Sequence, residues 1–292
     1  MDAYTLSIPS PIGTEEIAIL PRSTGEHPFV AWHGVTAVNR FWFWNVLWPL
    51  GAVSLVGLPG HGPLKAQPNS HFDNWTPEHF IEVSKTALRT LTNGRPATLI
   101  GHSTGGMIAL GIAQTAPELV QRLILIAPVV WSELTGIVGF WQRFANYPRL
   151  LRLVVRLSLE PGRLNRRVFT SSMTAFIRDR EGFYGNERVA LAIEEGYADM
   201  RKTQLAAIAG TTRVLTKTDM RPLVQQNPTT IPTLLIHGTK DPIVPYEQSE
   251  WLHQHLPNAT MASIQGAGHL PYGEQEENVN QLVLDWLAQH PV

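Results

Sequence analysis

The sequence contains no cysteine and carries almost no net charge. Without cysteine, the chain has no disulfide bond, no thiol nucleophile and no thiolate metal site. The net charge is −1 at pH 7, so no overall field favours nucleic acid as a partner. Residues 1–5 lack the basic start and the apolar run of a secretory signal, and we therefore expect a cytoplasmic protein.

Uninterrupted apolar spans are scarce as well. Residues 41–64 contain no Lys, Arg, Asp or Glu, and a stretch of that length would suit a transmembrane helix. Pro49 and the turn residues 57–60 divide it into two short pieces, which are typical of buried core elements. We expect no stable membrane insertion. The hydrophobic content of 43% is ample for a buried core.

Short apolar runs alternate with helical patterns over much of the chain, which predicts an α/β fold. A mostly parallel sheet covered by helices on both faces follows from this alternation. One helix has clear end signals: Thr76 caps it, Pro77 begins it, and it ends near residues 93–94. The predicted strands lie at residues 4–8, 16–20, 28–32, 52–56, 97–100, 123–127, 233–236 and 260–264.

The strongest chemical signal lies in residues 97–113. An apolar run ends in the motif Gly-His-Ser-Thr-Gly at 101–105, and a helix-like segment follows. A serine on such a strand–turn–helix is held in a strained backbone conformation, so its hydroxyl projects clear of the sheet. Gly101 and Gly105 avoid collisions with the neighbouring strand and helix. The motif predicts that Ser103 is a nucleophile, with helix N–H groups aimed at negative charge that forms beside it.

This motif in its context resembles the nucleophile turn of the serine-type α/β-hydrolase fold family. The resemblance covers both ends of the chain well and the middle poorly. It implies a core domain made of residues 1–130 and 226–292, with a helical cap, or lid, inserted after the sixth strand. Residues 131–225 suit that cap, because the strand pattern stops there and helical patterns replace it.

The charge of residues 131–225 differs from that of the rest. Fifteen of the 23 basic and nine of the 24 acidic residues fall in this segment, which gives it +6 and leaves the remainder at −7. Arg149, Arg152 and Arg156 recur at helical spacing beside leucines and valines. Two interpretations stay open: a solvated basic face, or an affinity for anionic substrates or anionic lipid surfaces.

Two further turns complete the predicted catalytic residues. Asp241 follows a buried strand in a turn that resembles the acid turn of the family, and His269 lies in a Gly-x-Gly-His turn after the last strand. The chain order serine, acid, histidine is that of α/β-hydrolases. Asp241 would orient His269, and His269 would take the proton of Ser103.

The resemblance also implies an oxyanion hole made of the backbone N–H groups of Val35 and Thr104. The pair His33-Gly34, at the end of the third strand, opens the loop that supplies the first donor. Two fixed N–H groups stabilise a developing oxyanion without reorganising.

The aromatic segment 39–50 and a few residues near the motifs are the predicted substrate contacts. At helical spacing Phe41, Trp44 and Trp48 share one face, while Trp42 and Phe43 point elsewhere. The rings either pack in the core, wall an apolar pocket beside the oxyanion loop, or touch a membrane. The predicted substrate-contacting residues are His33, Gly34, Trp44, His102 and Trp131.

These features predict a carboxylic-ester hydrolase that acts on a fairly apolar small-molecule ester through an acyl-enzyme. No metal and no organic cofactor is implied. Thioester hydrolysis, carbon–carbon bond hydrolysis, peptide cleavage and acyl transfer remain alternatives on the same three residues, and a non-enzymatic ligand receptor remains a different class. We expect a monomer or small homo-oligomer with peripheral lipid contact at most.

Overall fold

A computed structural model of the protein describes residues 2–42, 44–62 and 72–292. Eight strands in these ranges form one sheet with the order β1-β2-β4-β3-β5-β6-β7-β8. β1 and β2 pair antiparallel, β2 joins β4 antiparallel, and every pair from β4 to β8 is parallel. The mostly parallel sheet is therefore confirmed. The strands are β1 (Tyr4–Ser10), β2 (Gly13–Pro21), β3 (Pro28–Trp32), β4 (Ala52–Val56), β5 (Ala97–His102), β6 (Val120–Ile126), β7 (Thr233–Gly238) and β8 (Ala259–Ile264).

Twelve α-helices lie in the described ranges, and seven of them, α3 to α9, connect β6 to β7. The helices are α1 (Pro77–Thr92), α2 (Thr104–Thr115), α3 (Gly136–Gln142), α4 (Pro148–Leu164), α5 (Arg166–Ser172), α6 (Arg180–Gly185), α7 (Glu187–Lys202), α8 (Leu205–Lys217), α9 (Arg221–Gln226), α10 (Glu247–His255), α11 (Pro271–Glu274) and α12 (Glu276–Gln289). We call residues 131–225 the insert. Its division from the core as a separate cap domain stays a prediction.

The ends of α1 follow from its sequence. Thr76 Oγ1 accepts a hydrogen bond of 3.2 Å from His79 N, Pro77 occupies the first helical position, and Asn93 ends the helix in the left-handed conformation at φ 52°. The cap satisfies one of the N–H groups that a helix start leaves without a partner, and the left-handed residue stops propagation. These local signals place the helix without help from tertiary structure.

The two faces of the sheet pack against different helices. Along β5, Leu99 points into one hydrophobic cluster and Ile100 into the other, because successive strand side chains alternate between faces. The first cluster contains α2 residues such as Ile108, and the second contains α12 residues such as Val283. The predicted coverage of both faces is confirmed.

The aromatic segment does not form the helix that its spacing suggests. It contains two short 3₁₀ turns, Asn39–Phe41 and Trp48–Leu50, and Pro49 lies in the second. The rings therefore bury individually instead of sharing one face: Trp42 stacks on Tyr272 with 5.5 Å between ring centroids. Phe43 and residues 63–71 lie outside the described residues.

The insert is also divided more finely than its periodicity predicts. The residue spacing over 187–208 predicts one helical segment. The structure has two helices there, α7 and α8, with a break at Thr203. Thr203 Oγ1 accepts a 3.1 Å hydrogen bond from Gly62 N, which ties this break to the turn that follows β4. No helix in the described ranges has the length and apolar character needed to cross a bilayer.

Candidate active site

Ser103 lies in the sharp turn between β5 and α2. Its backbone has φ 56° and ψ −114°, a conformation that side-chain-bearing residues rarely adopt. The turn is too tight for larger neighbours: a Cβ on Gly105 would lie 2.1 Å from the carbonyl oxygen of Trp32, and one on Gly101 would lie 2.3 Å from that of Gly105. Gly105 is therefore needed for the close approach of the turn to β3, and Gly101 for the close approach of β5 to the start of α2.

Asp241 follows β7 with its side chain fully buried. Its Oδ1 accepts hydrogen bonds from the N–H groups of Ile243 (2.7 Å) and Val244 (3.0 Å). Its Oδ2 lies 2.7 Å from His269 Nδ1 and 3.2 Å from His237 Nε2. Burial would raise the pKa of Asp241, but the charge of His269 and the bonds from both histidines together hold that pKa well below its usual range. The acid is therefore an ionised, oriented partner for His269.

His269 follows β8, and its backbone is held on both sides. Its N–H donates to Phe176 O in the insert at 2.8 Å, and its carbonyl oxygen accepts from His102 Nε2 at 2.9 Å. The bond at Nδ1 to Asp241 leaves Nε2 as the ring nitrogen available for a serine hydroxyl. No hydrogen bond joins Ser103 Oγ to His269 among the described residues; such contacts often tighten only when substrate binds.

A buried glutamate fixes the loop that carries His269. Both carboxylate oxygens of Glu274 lie within 3.0 Å of Gly268 N, and Oε1 also accepts from Leu270 N at 3.2 Å. Oε2 accepts from Arg178 N (2.7 Å) and Asp179 N (2.8 Å) of the insert. One carboxylate thus joins the histidine loop to the insert. The sequence does not predict this role, because nothing in the residues next to Glu274 indicates that its carboxylate is buried.

The predicted oxyanion donors are the backbone N–H groups of Thr104 and Val35. Thr104 is the first residue of α2, and a helix leaves its first N–H groups without an internal acceptor. Among the described residues no hydrogen bond uses the N–H of Val35, whose carbonyl oxygen accepts from His61 Nε2 at 2.6 Å. A Cβ on Gly34 would lie 3.2 Å from the Cβ of Ser103, so the loop after β3 closely approaches the serine.

A cavity of about 80 Å³ adjoins these groups. His33, His102, Ser103 and His269 line it, and most of the other lining residues are apolar. The insert supplies much of the apolar wall: Leu134, Val138, Phe169, Met173, Phe176, Phe183, Val189, Ala192, Ile193 and Leu215. The cavity is large enough for several water-sized groups, and so for a small acyl chain.

The two other histidines in the cavity wall are uncharged at neutral pH. Burial lowers the pKa of His102 to about 3, with the charge of His269 acting in the same direction. Burial also lowers the pKa of His33 to about 3, assisted by the nearby His61. His33 Nδ1 donates to Gly34 O at 2.8 Å, and its buried Nε2 has no hydrogen-bond partner within the described part of the chain. The described cavity lining contains no Lys, Arg, Asp or Glu.

The sequence profile of the alpha/beta hydrolase fold matches residues 53–276 of this chain. The chain belongs to the alpha/beta hydrolase fold family.

Relatives of this alpha/beta hydrolase carry different activities. It is 29% identical over 277 residues to the dihydrolipoyllysine-residue acetyltransferase component of the acetoin cleaving system of Pseudomonas putida, covering 91% of this chain and 65% of that relative. It is 25% identical over 248 residues to a pimeloyl-[acyl-carrier protein] methyl ester esterase of Aromatoleum aromaticum, covering 83% of this chain and 91% of the relative. The malate-bound structure of a thermophilic esterase from Thermogutta terrifontis superposes with a TM-score of 0.72 at 21% identity, covering 99% of this chain and 100% of the other.

Two of the predicted substrate-contacting residues of this hydrolase do not reach the cavity. Trp44 packs in the core beneath the loop, where its Nε1 donates to Asn280 Oδ1. Trp131 packs against Trp251, with 6.3 Å between ring centroids, below the guanidinium of Arg221. Neither ring therefore lines the cavity. For Trp44 the reason is that the aromatic segment forms no continuous helix, so its spacing does not set ring direction.

Other aromatic rings line the hydrolase cavity. Phe41 and Trp42 line it from the segment after β3, and Phe169 and Phe176 line it from the insert. His33, Gly34 and His102 also line it, and their role as substrate contacts stays a prediction. The insert residues were missed because apolar positions at helical spacing have the same pattern whether they face a core or a cavity. Among the described residues, no group of three or more His, Asp or Glu side chains is arranged to hold a metal ion.

Proposed function

We propose that this chain is a serine hydrolase that cleaves carboxylic esters with a small, uncharged acyl group. The observation that carries the proposal is the meeting of three parts at one cavity. Ser103 stands on a strained turn, His269 lines the same cavity, and Asp241 holds His269 through a 2.7 Å hydrogen bond. The expectation of a cytoplasmic protein that is a monomer or small homo-oligomer stays a prediction.

The proposed reaction is a two-step acyl transfer. His269 Nε2 takes the Ser103 proton as Oγ attacks the ester carbonyl, and the N–H groups of Val35 and Thr104 bind the oxyanion. His269 then gives the proton to the leaving alcohol. Water, activated by the same imidazole, cleaves the acyl-enzyme and releases the acid. Asp241 stabilises the imidazolium in both steps.

The properties of the cavity support an apolar acyl group. Its wall is mainly aliphatic and aromatic, its two flanking histidines are neutral, and no charged side chain among the described residues would pair with an ionic acyl chain. The name of the Aromatoleum relative is consistent with ester chemistry, and that of the Pseudomonas relative with acyl transfer. We favour ester hydrolysis because a small apolar cavity suits the acyl part of a simple ester.

The test is nitrophenol release from acetate, butanoate and octanoate esters. We expect turnover by the wild-type protein and a loss of about 10⁴-fold or more in kcat for Ser103→Ala. A matched control is Ser158→Ala on α4, a serine that makes its bonds within the insert and with Trp141; it should retain activity. Equal rates for wild type and Ser103→Ala would refute the proposal.

A fluorophosphonate probe separates the proposed enzyme from a binding protein. Such probes phosphonylate an activated serine, whose oxygen attacks phosphorus and displaces fluoride, so we expect a covalent adduct on Ser103 that is absent in Ser103→Ala and strongly reduced in His269→Ala. If no adduct forms, the ligand-receptor alternative is favoured. Thioester and amide substrates assayed beside the esters identify the preferred bond.

A further inference from the structure

The outer face of α4 carries an exposed row of leucines. Leu150, Leu153, Leu157 and Leu164 are 43%, 51%, 67% and 75% exposed. Their spacings of three, four and seven residues place them on one side of the helix. An ordinary surface helix has charged and polar residues on this side, so the row needs an explanation beyond packing.

The buried face of the same helix lies opposite this row. Leu151 and Val155 are fully buried in the main hydrophobic cluster and hold α4 onto the insert. The leucine row therefore takes no part in the core. Tyr147, directly before the helix, is 65% exposed and extends the apolar surface at its N-terminal end.

Two arginines flank the leucine row. Arg149 and Arg156 are both exposed, and among the described residues neither forms an ion pair. Arg152, which lies toward the buried side, is instead bound to Asp73 at 2.6 Å. The unpaired charges belong to an insert that carries +6, while the rest of the chain carries −7. Positive charge is therefore concentrated in the same segment of the chain that exposes the leucines.

We propose that this outer face of α4, formed by Leu150, Leu153, Leu157 and Leu164 with Arg149 and Arg156, binds the surface of an anionic phospholipid bilayer. Leucines beside unpaired arginines are the composition of a helix that lies in the interfacial plane of a membrane. The leucines enter the boundary between headgroups and acyl chains, and the arginines meet the lipid phosphates. This proposal does not depend on the proposed catalytic function.

A second copy of the chain fits the face less well. Most homodimers are two-fold symmetric, so the same patch would face itself. That arrangement would bring the unpaired positive charges of the two copies onto one interface, and like charges brought together are unfavourable. An anionic membrane instead supplies both an apolar layer and negative charge.

The face lies one helix away from the candidate active site. α4 packs on α5 and α8, and those helices contribute Phe169 and Leu215 to the cavity wall. A bilayer bound to the outer face of α4 would therefore contact the outside of the same helical layer that closes the cavity. Apolar esters dissolved in the membrane would be concentrated near it.

The test is flotation of the full chain with lipid vesicles, read as the bound fraction. One set contains phosphatidylcholine alone, and in the other phosphatidylglycerol replaces half of it. We expect binding to the anionic vesicles only, weakened by high salt. Arg149→Gln with Arg156→Gln should lower the partition coefficient by about 25-fold, from about fivefold for each charge. Leu153→Gln with Leu157→Gln should lower it by about tenfold for each leucine.

Matched controls on other helices distinguish binding by this face from non-specific adsorption to the vesicles. Lys202→Gln with Lys217→Gln removes the same charge from exposed sites on α7 and α8, and Leu191→Gln removes an exposed leucine from α7. Both controls should bind within about twofold of wild type. Circular dichroism melting confirms that every variant is folded.

Three results would overturn the proposal: equal binding to neutral and anionic vesicles, no binding to either, or losses in the controls as large as those in the α4 variants. Light scattering, which measures the oligomeric state, tests the alternative that a second copy of the chain occupies this face. A dimer that the double leucine substitution dissociates would assign the face to a second copy.

Discussion

Glu274→Gln is the most informative single substitution outside the predicted catalytic residues. It keeps the size of the side chain but replaces one carboxylate oxygen by an NH₂ group, which cannot accept a hydrogen bond. In the wild type the two oxygens accept from four backbone N–H groups, those of Arg178, Asp179, Gly268 and Leu270. At least one of these buried donors loses its acceptor in the variant.

The size of the effect follows from the number of donors. One buried N–H without an acceptor costs about 1–3 kcal/mol. If the remaining oxygen stays with the insert, Leu270 N is the donor that loses its partner, and Gly268 N faces the new NH₂ group. For a chain of this size, about 1–3 kcal/mol corresponds to a Tm roughly 2–12 °C lower. Glu274→Ala would leave all four donors without this partner and should fold poorly.

Glu274→Gln should also lower the rate of ester hydrolysis, because it alters the position of His269. Gly268 and Leu270 flank the histidine, so a loop that relaxes displaces Nε2 relative to Ser103. A displacement of about 1 Å at a catalytic group lowers the rate by about 10²-fold. We therefore expect kcat for ester hydrolysis to fall by about ten- to 100-fold, with a smaller change in KM. Esterase kinetics and thermal melting of the same preparation measure both effects.

The matched control is Glu277→Gln, the same chemical change on an exposed residue of α12. It should melt and react like wild type. If Glu274→Gln also melts within about 1 °C of wild type and keeps its kcat, the buried carboxylate neither stabilises the loop nor positions His269, and our reasoning is wrong. A lower Tm with unchanged kcat would limit Glu274 to a structural role.

Three further predictions concern strain, close packing and pH. Ser103→Gly should be more stable than Ser103→Ala by about 1 kcal/mol in urea unfolding, because glycine tolerates the positive φ; equal stabilities would mean that the turn is unstrained. Gly105→Ala should lose about 3 kcal/mol of stability or fail to fold, since its Cβ would lie 2.1 Å from a β3 carbonyl oxygen. Gly185→Ala should stay within about 1 kcal/mol of wild type, since its Cβ would meet no distant group of the described residues within 4 Å. For His33 and His102 the folded pKa of about 3 lies below the ordinary value of 6.5, so the unfolded chain binds more protons as the pH falls. The free energy of unfolding should therefore drop by about 2 kcal/mol for each histidine between pH 7 and pH 5, and His102→Asn should remove about that much of the dependence; an unchanged dependence would contradict the assignment.

The positions of many helices and strands could be predicted from local sequence. The capping threonine, the first-turn proline and the asparagine at its end place α1 at its observed bounds, because helix ends depend on neighbouring residues only. The strands are predictable because short runs of apolar residues bounded by turn residues are typical of buried strands. Helices over the insert were found as a group, but their breaks at Asn165 and Thr203 were not.

Predicted positions for Ser103, Asp241 and His269 follow from topology more than from any single motif. Each residue lies in the turn that follows a strand, and the carboxyl ends of parallel strands meet at one edge of a sheet. The alternation of strands and helices was therefore enough to predict that three distant residues approach each other. Two of the three, His269 and Asp241, are joined by a 2.7 Å hydrogen bond, and the catalytic roles of all three stay predictions.

The sequence by itself determined where the strands and turns lie, which residues end them, and hence which side chains reach the edge of the sheet. Only the tertiary structure decided which apolar residues face the cavity, that Trp42 lines it and Trp44 does not, and that Glu274 is buried among backbone N–H groups. The physical reason is that strand, turn and cap preferences act within a few residues along the chain. Burial depends instead on which surfaces distant segments bring together, and residues of the same type at the same spacing suit a core, a cavity wall or a membrane-facing helix equally well.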